Sequence, residues 1–225
     1  MPDQLSDPRC RMMAKLNAEG IYTRLTGHGI AHGSDPFDLH MIACILALAA
    51  QEAREEKTSW AAGLGLESWE MRALFMALFP SAIDLLEGVP LDPGEAPDEE
   101  SALRDILWYN SAGSGTLSRL LVKIIARRCQ RPNHLWQDLG FSGRFELSAL
   151  MLRHYPRLAE RNINDMKWKK FFYRMICSST GFSLCVAPVC SECDDFDECF
   201  GDEDGESLLA RMGNEKAMSP NEVRK

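Results

Sequence analysis

Trp168-Lys169-Lys170-Phe171-Phe172-Tyr173-Arg174-Met175-Ile176 is the stretch on which the fold turns. Trp168, Phe171, Phe172, Met175 and Ile176 recur at i, i+3, i+4, i+7 and i+8, which is one face of a helix. Lys167, Lys170 and Arg174 recur at i, i+3 and i+7 on a different side. An aromatic stripe of this size needs a core to bury it. The basic side is left for solvent, for an anion, or for the acidic segment that follows. The spacing predicts one long helix over Arg157 to Cys177.

Immediately downstream, Cys185 to Cys199 reads C-V-A-P-V-C-S-E-C-D-D-F-D-E-C, a C-x4-C-x2-C-x5-C spacing. Half of the chain's eight cysteines fall here. Pro188 and the polar residues between the thiols argue for a loop around a metal. Thiolate is the soft ligand that selects zinc, Cu(I) or iron–sulfur clusters. Three readings compete. Disulfides fit badly in a chain of this size with no secretory signal. Four thiolates satisfy tetrahedral zinc, although the x5 gap departs from paired C-x2-4-C units. An iron–sulfur-type cluster is equally served, although the spacing matches neither common ferredoxin run. The spacing leaves zinc and cluster open.

The charge around these thiols is one-sided. Glu192, Asp194, Asp195, Asp197, Glu198, Asp202, Glu203, Asp204 and Glu206 crowd the segment, with no Lys or Arg between Arg174 and Arg211. Negative charge beside thiolates lowers a cluster's reduction potential. It would also suit a basic partner surface, or simple solvation. Cys177 is either a fifth thiol or a packed side chain, and packing is the commoner fate. Cys10, Cys44 and Cys129 read as structural.

Upstream, helical periodicity continues and no segment sustains strand-like alternation. Asp35-Pro36 is a helix start, with Asp35 as cap, and the helix runs to about Lys57. Glu67 to Phe79 carries Met71, Leu74, Phe75 and Leu78 in helical register, stopped by Pro80. A short helix is expected at Ala82 to Glu87. Further helices are expected at Glu99 to Tyr109, Thr116 to Cys129, His134 to Gly140 and Phe145 to His154. Gly63-Leu64-Gly65-Leu66 lacks a phosphate-binding frame and reads as a turn. Arg127 and Arg128 suit a helix C-terminus electrostatically, and an oxyanion such as molybdate is the alternative role. His28, His32 and His40 are either unrelated polar residues or a second anion or metal site.

The 225 residues are 45% hydrophobic, enough for one sizeable core. A formal net charge of −8 argues against general nucleic-acid binding. The longest apolar run, Met41 to Ala50, is half of what a membrane span requires. The expectation is an all-α protein: a single irregular multi-helix domain with a C-terminal cysteine-rich metal-binding loop, cytoplasmic, with no membrane or nucleic-acid partner. Residues 1–34 are expected as an arm. Residues 35–182 form the helical domain, with an acidic, proline-rich linker at 89–100. Residues 183–206 form the metal loop and 207–225 a polar tail.

The run M-K-W-K-K-F-F-Y-R (Met166 to Arg174), followed by C-x4-C-x2-C-x5-C and then Phe200-Gly201, resembles the NifQ family. Ile124 to Cys129, Asn133 to Gly140 and the stretch around Gly63 extend the resemblance over roughly Asp35 to Gly205. It implies a nitrogen-fixation protein that carries a cluster of molybdenum, iron and sulfide. It implies that molybdate is the metal source, and that molybdenum passes to the scaffold complex on which the nitrogenase iron–molybdenum cofactor is assembled. The nitrogenase iron protein takes part in that step. By position, Cys185, Cys190, Cys193 and Cys199 become the expected ligands of the iron–sulfur and molybdenum cargo. No nucleophile and base stand at motif-grade spacing, so a carrier is expected and not a turnover enzyme. The alternatives are a zinc-stabilised helical interaction module and a conventional iron–sulfur electron carrier.

Overall fold

The computed structural model describes residues 16–27, 34–180 and Glu203. Among the described residues the regular structure is helical, with no strand. The centre is α2 (Pro36–Glu55); α1 (Ala18–Thr26) packs along it. Asp35 caps α2 as expected, its side chain accepting from the Phe37 and Asp38 amides, with Pro36 in the first turn. Every residue from Met41 to Ala50 is buried. A helix apolar on all sides belongs in the middle of a core. This explains why its sequence is a run and not a stripe.

Helix α1 lies in the stretch expected to be an arm. Asn17 caps it by accepting from the Gly20 amide, and Ala18, Ile21 and Leu25 are buried. The Ala18 amide donates to Gln51 of α2 at 2.9 Å, and Arg24 pairs with Asp84 at 3.0 Å. Nine residues are too few to form a stable helix in isolation. Docking on α2 supplies what local propensity does not.

Helix α3 (Ser68–Leu78) opens with a capping box between Glu67 and Glu70. Residues Pro80–Leu86 then form a 3-10 helix over the stretch where a short helix at Ala82 to Glu87 is expected. Phe79 leaves helical geometry, and Pro80 has no amide proton to continue the ladder. Helices α4 (Asp98–Tyr109) and α5 (Thr116–Arg128) pack as a pair. The short α6 (Leu135–Asp138) is followed by α7 (Arg144–His154), α8 (Pro156–Arg161) and α9 (Trp168–Thr180).

The long helix expected over Arg157 to Cys177 is therefore two helices. The Asn162 side chain accepts from the Met166 amide at 3.0 Å and donates to the Met166 carbonyl at 2.8 Å. Asp165 adopts a left-handed backbone (φ 53°). A side-chain amide that satisfies local backbone groups competes directly with helical hydrogen bonds. The apolar residues that set the period, Trp168 to Ile176, all lie in α9.

The acidic, proline-rich stretch at 89–100 is pinned to the body. Ser59 donates to the Pro90 carbonyl at 2.9 Å and Arg127 to the Pro93 carbonyl at 2.9 Å. Its last acids, Asp98, Glu99 and Glu100, form the first turn of α4.

Polar groups fasten the helices to one another inside the core. Arg128 is fully buried and bonded to both carboxylate oxygens of Glu52 (2.6 and 2.9 Å), the Asp138 carbonyl (2.5 Å) and the Gly63 carbonyl (3.4 Å). Arg127 reaches Glu100 at 2.6 Å and the Ala62 carbonyl, while Arg104 also pairs with Glu100. Gly65 sits beside this group at φ 64°, where an added Cβ would lie 3.1 Å from Glu100 Oε1. Arg127 and Arg128 stand in the last turn of α5 as expected, but these contacts turn both into the body. Neither is a solvated helix-end charge, and neither is open to an oxyanion.

Gly140 closes α6 at φ 75°, and an added Cβ would meet the Cys44 carbonyl at 2.9 Å. Gly140→Ala should cost about 1–3 kcal/mol, from the left-handed backbone and the forced separation from α2. Urea unfolding checks this, with a lowered midpoint and an unchanged m-value as the expected result.

Candidate metal centre

Helix α9 is the platform from which the chain leaves for the cysteine segment. Trp168, Phe171 and Phe172 are all buried, with ring centroids 5.7–6.0 Å apart. Lys169 ties the same turn to the body by donating to Asp138 Oδ2 and to the Arg131 carbonyl, each at 2.5 Å. The expected split of faces therefore holds for the aromatics. On the other face Lys170 and Arg174 are exposed, and Lys167 is half-buried.

Cys185, Cys190, Cys193 and Cys199 lie outside the described residues, as do His28, His32, Cys10 and the Cys177 side chain. The flanks of the cysteine segment are described. Helix α9 ends at Thr180, five residues before Cys185. Glu203 stands four residues after Cys199, with its side chain only 6% exposed. Arg144 Nη1, in the first turn of α7, donates to Glu203 Oε1 at 2.8 Å. His134 Nδ1 lies 3.6 Å from the same oxygen, close enough for charge attraction and too far for a hydrogen bond. In sequence, Glu203 is one acid among many, and nothing local separates it from Asp202 or Asp204.

Among the described residues no group of three or more His, Cys, Asp or Glu converges as a metal site. None of the described helices is long and apolar enough to cross a membrane. A thiolate donor set suits iron and sulfide chemistry or zinc, and the chain concentrates its thiols in the segment between Thr180 and Glu203.

Comparison with known proteins decides between families. The NifQ family model matches residues 41–201, a span that contains all four segment cysteines. The chain belongs to the NifQ family. It is 37% identical over 182 residues to a "Protein NifQ homolog" of Sinorhizobium fredii, covering 80% of this chain and 79% of that one. It is 38% identical over 181 residues to "Protein NifQ" of Rhodobacter capsulatus, covering 75% of this chain and 97% of that one. "Protein NifQ" of Azotobacter vinelandii is 39% identical over 106 residues, 47% of this chain and 54% of that one. No solved structure matches the chain.

Two NifQ cysteines outside the segment are described, and both are inert by environment. Cys44 and Cys129 are free and buried, and burial pushes each thiol up to about 12. At about pH 8 an ordinary thiol is partly ionised and reactive, whereas these two stay protonated. A thiol reagent applied to native protein at that pH should leave Cys44 and Cys129 unmodified, and denaturant should expose both. Peptide mapping after alkylation reads this directly. Labelling of Cys44 before unfolding would show that its burial is wrong.

His40 is held between two helices. Tyr22 Oη lies 2.8 Å from Nδ1, and Glu146 Oε1 lies 3.0 Å from Nε2. The consistent proton arrangement has Nε2–H donating to the carboxylate and the phenol donating to Nδ1. Burial acts to raise the Glu146 carboxyl, but bonds from His40 and Ser142 outweigh it and leave it below the usual range. Cys44 Sγ touches the ring at 3.8 Å, but its raised pKa rules out a thiolate–imidazolium couple. Tyr22 and His40 line a cavity of about 210 Å³ whose other walls, Leu25, Leu39, Leu78 and Phe79, are mainly apolar. Of the three histidines read as either unrelated polar residues or a second site, the described one, His40, is a hydrogen-bonded strut joining α1, α2 and α7.

Proposed function

We propose that this NifQ-family chain carries a molybdenum–iron–sulfur cluster and donates molybdenum for biosynthesis of the nitrogenase iron–molybdenum cofactor. The observation that carries the reading is the C-x4-C-x2-C-x5-C segment inside the family match. Cys185, Cys190, Cys193 and Cys199 supply thiolates to the iron of the cargo. Their acidic surroundings favour the oxidised cluster and present negative charge to a basic partner surface. Molybdate is the metal source. The recipients are the cofactor-assembly scaffold complex and the nitrogenase iron protein, in the cytoplasm. The cluster is cargo here, and the chain's part is to hold it and release it.

The helical body supports this division of labour. Its buried ion pairs and aromatic stripe make a fixed platform, and the thiol segment is joined to it at Thr180 and Glu203. The deciding experiment is metal and acid-labile sulfide analysis of anaerobically purified protein, with an absorption spectrum on the same sample. Iron, sulfide and molybdenum together in a brown protein are expected. Zinc alone, persisting after attempted iron–sulfide reconstitution, would overturn the cluster reading in favour of a zinc-stabilised interaction module. Iron and sulfide that never accept molybdenum would favour an electron carrier.

A further inference from the structure

Arg144 does two jobs with one guanidinium. Its Nη2 donates to the Asp165 carbonyl (2.9 Å), Asp165 Oδ1 (2.8 Å) and the Met166 carbonyl (2.9 Å), just before α9 begins. Its Nη1 donates to Glu203 Oε1 at 2.8 Å. Residue 203 is thereby held beside residues 165–166, at the start of α9, although the chain enters the cysteine segment from the end of α9. Thirteen helical residues separate these ends by roughly 20 Å. By residue 203 the chain that left the end of α9 is therefore back beside the start of that helix. From Glu203, four residues of chain reach at most about 14 Å to Cys199.

We propose that Arg144 is a positioning residue for the cysteine segment, acting through Glu203 to tether its C-terminal side to the root of α9. Three observations fit this role. The Glu203 side chain is almost completely buried, although it sits within a run of acids that would ordinarily be solvated. Glu203 Oε2 and Arg144 Nε are buried without hydrogen-bond partners, so among the described residues the Nη1–Oε1 ion pair carries the tether. His134, capping α6, adds positive potential on the same side whenever it is protonated. The consequence for metal loading rests on the cluster reading above, but the tether itself does not.

The test uses the full chain, reduced and metal-free, with a Glu-specific endoproteinase and mass-spectrometric rates at individual sites. Such a protease must take the glutamate side chain into its own pocket, so a carboxylate buried on Arg144 is protected. Glu95 lies exposed in the loop before α4 and is the internal reference. Cleavage after Glu203 should be about tenfold slower than after Glu95 in wild-type protein. Arg144→Leu should remove that protection and Arg144→Lys should retain part of it, because proteolysis of this kind follows the population of the open form. Asp165→Asn, which removes the other carboxylate on Arg144, should leave Glu203 protected. Cleavage after Glu203 as fast as after Glu95 in wild-type protein would overturn the tether, whether or not Arg144→Leu folds. A second arm reconstitutes iron and sulfide and follows iron loss to a chelator. Glu203→Gln is expected to lose iron several-fold faster than wild type, and equal rates would overturn the positioning role. Wild-type protein that takes up no iron would sink the cluster reading, while the cleavage comparison would still decide the tether.

Discussion

Cys190→Ala is expected to lower chelator-resistant iron more than a hundredfold while leaving the helical circular dichroism unchanged. Replacing a group that only hydrogen-bonds to a metal's ligands already costs about ten- to a hundredfold in affinity, and loss of a thiolate ligand removes a direct bond. The body does not depend on that thiol. Its core is built from Ile42, Ile45, Leu46, Phe75, Ile124, Phe141 and Phe172, all buried. The informative contrast is Cys129→Ala. Cys129 is buried against α9, so its truncation should lower stability by about 1–2 kcal/mol and leave metal binding intact. Iron analysis and urea unfolding on both variants separate cargo ligand from core packing. A Cys190→Ala protein that loads iron fully would remove Cys190 from the ligand set.

Arg128→Met should destabilise the protein by about 3–5 kcal/mol, the largest effect expected of any single side chain in the body. The substitution leaves Glu52 without its principal partner. It also strips donors from the Asp138 and Gly63 carbonyls. Removing one member of a buried ion pair costs far more than the pair contributes when intact, because the surviving charge stays desolvated. Arg131→Ala is the matched control. Arg131 also bonds a carboxylate, Glu56, but that pair is partly exposed and screened, so its loss should cost no more than about 1 kcal/mol. Equal shifts in the two variants would mean that the Arg128 network is not desolvated as described.

Much of the helical layout is legible in periodicity and punctuation. Asp35-Pro36 announces α2, Glu67 and Glu70 announce α3, and Pro80 marks the end of α3. Each of these signals is local, carried by a cap, a fixed φ or a missing amide proton. What was misread depends on contacts far along the chain. Helix α1 forms because α2 offers a surface. The break at residues 162–167 is a local exception, in which Asn162 bonds the Met166 backbone just before α9. Arg127 and Arg128 look like ordinary helix-end charges until their partners at positions 52, 63 and 100 are known. Repeating apolar positions report burial and not continuity, so the stripe from Trp168 to Ile176 does not say where its helix begins.

The candidate site divides along the same line. The proposed ligands are legible in the sequence, because soft donors crowded into fifteen residues point to metal chemistry without any fold. Family membership likewise follows from residues 41–201 read in order. Where that segment attaches is a property of the tertiary structure alone. Glu203 is chemically indistinguishable from its acidic neighbours, and only the placement of Arg144 against residues 165–166 selects it. Charge pairing depends on distance and on exclusion of water, and neither is written in a linear run of carboxylates.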